Sequence, residues 1–179
     1  NKKCTIKIVN KNLLNYDHIN TYNEINILKN FDSEWLIKYQ DHFEDEKHVY
    51  IVSDYYKILN LEKQTKERDL IKYTKNLCEG LRLLHGFGFI HNNINPINIV
   101  ISNDRCKLSN LENIIIDNKI YKNVYNSTVY TPPELLSSKA YFASDIWSLG
   151  VTLFYIITGK LPYEAAVDIK NHLKFINNF

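Results

Sequence analysis

Methionine is absent from the 179 residues and the chain begins at Asn1, so it reads as a piece of a longer translation product. Cysteine is scarce: Cys4, Cys78 and Cys106 form an odd set without CxxC spacing. That excludes a self-contained disulfide scaffold and a zinc site of the usual ligand spacing. It favours free thiols in a reducing compartment, the cytoplasm. An excess of charge of one sign is lacking too. With 22 Lys and Arg against 20 Asp and Glu, the formal net charge of +2 gives no electrostatic ground for a nucleic-acid partner or an anionic membrane. No signal-peptide pattern opens the chain. The most apolar run, "IWSLGVTLFYIITG", falls short of the ~20 residues of a membrane span, carries Ser, Gly and Thr, and follows Asp145. It reads as a buried helix. Internal repeats and linker-like segments are missing as well.

What is present suits one globular domain, with 45% hydrophobic and 23% charged residues. Asn and Ile each occur 23 times, a compositional bias rather than a functional signal. "CTIKIV" predicts a strand, with Ile6 and Ile8 in period two. "NTYNEINILKNF" places Tyr22, Ile25 and Leu28 at helical spacing, with Asn20 or Thr21 as the cap. "WLIKYQDHF" and "KHVYIVSDYY" predict two antiparallel strands joined by "EDEK". In "ERDLIKYTKNLCEGLRLLHGFG", Leu70, Leu77, Leu81 and Leu84 line one helix face, which Gly86 is expected to end. Two short strands, "NIVIS" and "CKLSN", come next. An irregular stretch of about twenty residues holding "NSTVYTPPE" follows, too long for a connection without a purpose. A core helix starts near "ASDIWSLG", capped by Asp145. Strands first and helices later predict an α+β fold with two sub-lobes.

"FIHNNINPINIV", from Phe89 to Val100, has the cadence of a loop that does chemistry: an apolar lead-in, a His, a polar cluster around one Pro, then an aliphatic run. Yet each polar position after His91 is Asn, where an acid or a base would do the work. An amide cannot take a proton near neutral pH and offers a divalent cation only a dipole.

Taken in order, Lys7 in "CTIK", Glu24 in "YNEINILK", "VYIVSDYY", "HNNINPINIVI", "LSNLE", "TPPE" and "SDIWSLGVTLFYIITGKLPYE" resemble the protein kinase family over nearly the whole chain. The resemblance implies an α+β, bilobal kinase-like fold. Residues 1–54 would form part of a β-rich N-lobe, starting at its third strand, and residues 55–179 part of a helical C-lobe. Lys7 and Glu24 would pair to position the α- and β-phosphates of ATP. Asp54 and Tyr56 would belong to the nucleotide-binding hinge, with Ser53 at the gatekeeper position and Thr5 in the small slot above the adenine. Leu28, Tyr39, His91 and Leu111 would stack as an apolar spine between the lobes.

The departures from the family pattern fall on its chemistry. The family's catalytic-loop Asp handles the substrate hydroxyl proton, and the Asp of D-F-G holds Mg²⁺ on the phosphates. Asn93 and Asn110 stand at those positions. Asn95 replaces the lysine that steadies the γ-phosphate, and Asn92 the arginine that orders a phosphorylated activation segment. Of the loop motif only His91, Pro96 and Asn98 remain, so Asn98 and Asn110 would offer a metal two amides at best. Glu112 stands in place of the glycine of D-F-G, either as a substitute cation ligand or as a solvated side chain. Tyr125, Ser127, Thr128 and Tyr130 make the activation segment look phosphorylatable, and Glu134 is expected to pair with an Arg from a later helix. The implied function is a catalytically impaired kinase-like domain, a pseudokinase, serving as a protein-binding or allosteric module. ATP is its candidate ligand, Mg²⁺ and Mn²⁺ are disfavoured, and a protein is its candidate partner. The alternative is a low-activity ATP-dependent Ser/Thr kinase with non-standard metal ligands.

Overall fold

The computed structural model describes residues 3–13, 18–59, 66–116, 129–137 and 139–163. Strand β1 (Cys4–Asn10) leads to helix α1 (His18–Asn30), followed by β2 (Tyr39–Glu44) and β3 (His48–Asp54). The three strands form an antiparallel sheet in the order β1-β3-β2, with Lys7 opposite Ile51 and Thr5 opposite Ser53. On β3 the alternation is clean, with Val49, Ile51 and Ser53 buried. On β1 the expected period of two holds: Ile6 and Ile8 are exposed, while Thr5, Lys7 and Val9 are half-buried. The reason is polar pairing. Thr5 and Lys7 both find partners beneath the sheet, and an inward polar group with a partner avoids the desolvation penalty of an unpaired one.

The remaining elements are β4 (Lys57–Ile58), α2 (Glu67–Gly86), β5 (Phe89–Ile90), β6 (Ile99–Ser102), β7 (Arg105–Leu108), β8 (Ile115–Ile116) and α3 (Phe142–Thr158). A second sheet runs β4-β6-β7, and β5 pairs with β8. Short 3₁₀ turns cover Pro96–Asn98, Leu111–Asn113 and Pro133–Ser137. The result is the incomplete bilobal α+β architecture that the kinase resemblance implies. The expected strands and helices are all there; the two-residue strands β4, β5 and β8 carry too little pattern to be read from sequence. No helix among the described residues is long and apolar enough to cross a membrane.

Three expected boundaries differ. Helix α1 starts at His18, so Asn20 and Thr21 lie inside it and its cap falls outside the described residues. Helix α2 retains Gly86 as its last residue, and the left-handed position after it is Gly88, at φ 78°. Helix α3 begins after Tyr141, whose N–H donates to Ser144 Oγ. Asp145, expected as its cap, is a turn further in and its carboxylate is used elsewhere.

One core joins both sheets to the helices. Ile25 and Leu28 of α1, Leu77, Leu81 and Leu84 of α2, Leu36, Leu108 and Leu111 all belong to it. Leu36 bridges Leu108 in parallel, and Ile37 N–H donates to the Leu108 carbonyl at 3.1 Å, which seats β7 against the approach to β2. The amphipathic stripe of α2 lies on this region, and Gly80 permits the approach. A Cβ at residue 80 would lie 3.0 Å from Leu108 Cδ1 and 3.4 Å from Trp35 Cβ. Larger side chains there force the buried Leu108 to move. Gly80→Val is therefore expected to destabilise the protein by about 2 kcal/mol, despite the helix penalty that glycine itself carries. Urea denaturation measures this, and an unchanged midpoint would show that the helix does not seat there.

Candidate functional site

The loop Asn92–Asn98 connects β5 to β6, and its shape is fixed from below by one carboxylate. Asp145, on the first turns of α3, is 1% exposed. Its Oδ2 accepts from His91 N–H at 2.8 Å and lies 2.8 Å from His85 Nε2, and its Oδ1 accepts from Asn92 N–H at 2.9 Å. Asn92 takes a left-handed conformation, φ 60°, which Asn tolerates better than most residues. His91 is fully buried and is structural, as expected. Its Nδ1 accepts from Asn93 N–H at 3.3 Å while Nε2 donates to the Ser109 carbonyl at 3.2 Å, the pattern of a neutral ring. Burial, against the opposing pull of Asp145, holds its pKa below the ordinary 6.5.

The asparagines of the loop bond to one another. Asn95 caps the turn that Pro96 begins, its Oδ1 accepting from Ile97 N–H at 3.1 Å and Asn98 N–H at 3.3 Å. Its Nδ2 donates to Asn93 Oδ1 at 2.9 Å. Asn98 Nδ2 donates to the Asn93 carbonyl at 2.8 Å, and Asn98 Oδ1 accepts from Asn110 Nδ2 at 3.3 Å. Asn110 Oδ1 in turn accepts from Lys7 Nζ at 2.6 Å. An unbroken chain of donors and acceptors runs from residue 95 to Lys7, and each amide oxygen in it has a hydrogen-bond donor. Asn92 Nδ2 adds a tie to the Asn113 carbonyl at 3.3 Å.

Lys7 is the other end of this chain. Its ammonium meets Glu24 Oε2 at 2.8 Å, Asn110 Oδ1 at 2.6 Å and Glu112 Oε2 at 2.8 Å. Burial works to lower its pKa, but the attraction of Glu24 and Glu112 outweighs it and the net shift is upward. The carboxyl of Glu24 is raised, first by burial and further by the charge of Glu112, with Lys7 pulling the other way. Lys7 is charged: two carboxylates and an amide oxygen take its three N–H groups. The expected Lys7–Glu24 pair is thus in place. Glu24 Oε1 also accepts from Leu111 N–H at 3.0 Å, so α1 is fastened to the 110–112 turn twice.

Above Lys7 and Asn110 lies a cavity of about 170 Å³, walled by Ile37, Ile51, Ile58 and Ile97 with Ser53 and Tyr56 at its back. Ligand pockets commonly measure about 300–1,000 Å³. The backbone N–H of Tyr56, a lining residue, donates to Thr5 Oγ1 at 3.2 Å. Asp54 is not part of the lining; its side chain accepts from Gln40 on β2. Asn93 and Asn95 lie in the loop below, outside the lining. Leu28 and Leu111 are buried in the core with Tyr39 packed against it, and His91 is buried beside the loop.

The donor set does not fit a divalent cation. Among the described residues no three His, Cys, Asp or Glu side chains gather to hold a metal. The oxygens of Asn98 and Asn110 already accept hydrogen bonds. Glu112, weighed above as a cation ligand or a solvated side chain, instead meets Lys7. Glu134 pairs with Ser144 Oγ at 2.7 Å. Tyr125, Ser127 and Thr128 lie outside the described residues. Sequence reasoning also missed His85 on Asp145 and the Thr5–Tyr56 bond; the Asn-Pro pair is a capping signal that could have identified the role of Asn95.

Comparison with known proteins bears on the same segments. The family model described as protein kinase domain matches residues 1–178. The chain is 26% identical to the fatty acyl-CoA synthetase and RNA processing-associated kinase 1 of Saccharomyces cerevisiae, aligning 91% of this chain and 21% of that protein. It is 29% identical to an Aurora kinase of Yarrowia lipolytica, over 79% of this chain and 40% of that one. It is 27% identical to the human serine/threonine-protein kinase ULK1, over 92% of this chain and 17% of that one. The chain therefore spans well under half the length of these relatives.

The tautomer of His91 sets a pH dependence. Its folded pKa lies below the value in an unfolded chain, so its stabilising contribution is complete above pH 6.5 and is lost as the pH falls towards the folded value. Protonation would place a donor on Nδ1 facing Asn93 N–H. Between pH 7 and pH 5 the wild type is expected to lose up to about 1.4 kcal/mol per pH unit relative to His91→Gln. Thermal melts of both across that range measure it; parallel curves would show that His91 does not titrate on unfolding.

Proposed function

The chain belongs to the protein kinase family, and from that premise we propose that it is a catalytically impaired member, a pseudokinase, working as a binding or allosteric module. Residues 1–54 are its partial N-lobe and residues 55–179 its partial C-lobe. The observation that carries this reading is the hydrogen-bonded series Asn95–Asn93–Asn98–Asn110–Lys7, in which neutral amides and the Asn93 main-chain carbonyl stand where the family's acids would act. In the family's reaction a carboxylate orients the attacking hydroxyl and a second holds the metal that neutralises the phosphates. Here both positions carry neutral amides. A positioned base contributes about 10²–10⁴-fold in rate, and electrostatic stabilisation by metal comes on top of it. A site without either is left with positioning alone. The alternative of a weak Ser/Thr kinase requires a carboxylate free to hold a cation, and the arrangement of Glu112 on Lys7 counts against it. Pairing of Lys7 with Glu24 supports a role in holding α1, whatever becomes of nucleotide.

Full-length protein offered radiolabelled ATP and a generic Ser/Thr substrate is expected to transfer no phosphate. Transfer that vanishes in Lys7→Ala would overturn the reading, since a contaminating kinase is indifferent to that change. A second test restores one ligand. Asn110→Asp adds an anionic oxygen and removes the donor that occupies Asn98 Oδ1. It is expected to make stabilisation by ATP dependent on Mg²⁺, whereas Asn93→Asp leaves it unchanged. At 100 times the Kd a ligand adds about 2.7 kcal/mol, well within reach of a thermal-shift titration. An Asn110→Asp protein that stays folded and shows no metal dependence would remove residues 108–112 from consideration as a metal-binding segment.

A further inference from the structure

Lys7 has three N–H donors, and all three are engaged by the chain's own atoms at 2.6 to 2.8 Å. Its partners differ in how firmly they are held. Glu24 is 1% exposed and is fixed a second time by Leu111 N–H; Asn110 is fixed a second time by Asn98. Glu112 is 37% exposed, and its carboxylate has Lys7 as its ion-pair partner among the described residues. It sits in the three-residue turn Leu111–Asn113, directly after the cavity-lining Asn110, with its carboxylate on the cavity-lining Lys7. One ammonium thus faces two carboxyl groups, and the exchangeable one is Glu112.

We propose that Glu112 is a resident anion that stands in for an external one at Lys7, so that the cavity excludes phosphate-bearing ligands while the Lys7–Glu24 arrangement is kept without any ligand. Two consequences follow from the geometry. An incoming phosphate must displace a carboxylate already paired at 2.8 Å and is repelled by it until it does. A ligand without charge meets neither obstacle at this end of the cavity. Glu112 therefore acts on specificity by ligand charge and not on the general openness of the pocket. The Thr5–Tyr56 bond, made by the lining residue Tyr56, is neutral and does not sort ligands by charge. The inference rests on reading the cavity as a nucleotide-class pocket, but not on the loss of catalysis.

The test compares ATP with adenosine in the full chain, without metal, by isothermal titration and thermal shift. Glu112→Gln keeps the size of the side chain and removes its charge; Glu112→Ala also vacates a donor of Lys7. Both are expected to raise affinity for ATP at least about tenfold, the alanine more than the glutamine, and to leave adenosine unchanged. ATP affinity unchanged in both folded variants would overturn the proposal. So would an equal rise for adenosine, which would show that the pocket had simply opened. Should one variant fail to fold, the other decides by the same ratio, and tripolyphosphate titrated into the wild type gives a separate reading. Stabilisation of the wild type by tripolyphosphate equal to that of the variant would also overturn it. Phosphate transfer by the wild type would defeat the functional reading above and leave this comparison standing.

Discussion

The ammonium of Lys7 is the point where three otherwise separate pieces of chain are joined: β1, which carries it, α1 through Glu24, and the 110–112 turn through Asn110 and Glu112. The Leu111 N–H, donating to the Glu24 carboxylate at 3.0 Å, also links α1 to that turn. The apolar side of the same junction is the contact of Ile25 and Leu28 with Leu111 in the core. Removing the charge would therefore loosen a helix and not merely a ligand site. Leaving a buried carboxylate without its partner costs several kcal/mol, more than the pair gains over an apolar replacement. That asymmetry gives Lys7 a structural role that stands apart from any reaction.

The asparagines of the loop solve the same problem by neutral means. A carboxylate only accepts, so neighbouring carboxylates repel and call for a cation between them. An amide both donates and accepts, so Asn95 bonds Asn93 and Asn110 bonds Asn98 side chain to side chain, while Asn98 also reaches the Asn93 main-chain carbonyl. In a low-dielectric setting a fully paired network rigidifies its surroundings, whereas a partly paired one is expensive. At residues 93 and 110, where the family carries acids, amides make these bonds with no cation between them. Asp145 remains an acid because its acceptors are all satisfied by N–H groups from the loop and His85.

Much of this was legible from the chain. The order of motifs gave the α+β architecture, the Lys7–Glu24 pair and the structural role of His91, because each rests on residue type at fixed spacing. Local boundaries were read less well. The inward residues of β1, Thr5 and Lys7, are polar, so no apolar alternation marks their face; the motif order alone placed them, and their partners lie far along the chain. Glu112 illustrates the same limit: 105 residues separate it from Lys7, and no local pattern distinguishes a solvated Glu from one aimed at a distant ammonium. Gly86 and Gly88 competed for one left-handed position, and only tertiary packing selects between them.

A module of this kind can respond to a ligand only to the extent that the ligand tells two of its states apart. Where the Lys7–Glu24 junction is already assembled by internal groups, occupancy of the cavity has little left to order, and a ligand of equal affinity for both arrangements shifts nothing. The adjustable contact is then the half-exposed one. Glu112 can leave Lys7 without unmaking the bond between Leu111 and Glu24, so a change there alters the charge at the mouth of the cavity while α1 stays where it is. On the proposed reading, exchange at Glu112 would leave the surface of α1 and the first sheet in place, the property a binding platform requires and a nucleotide-driven switch must lack.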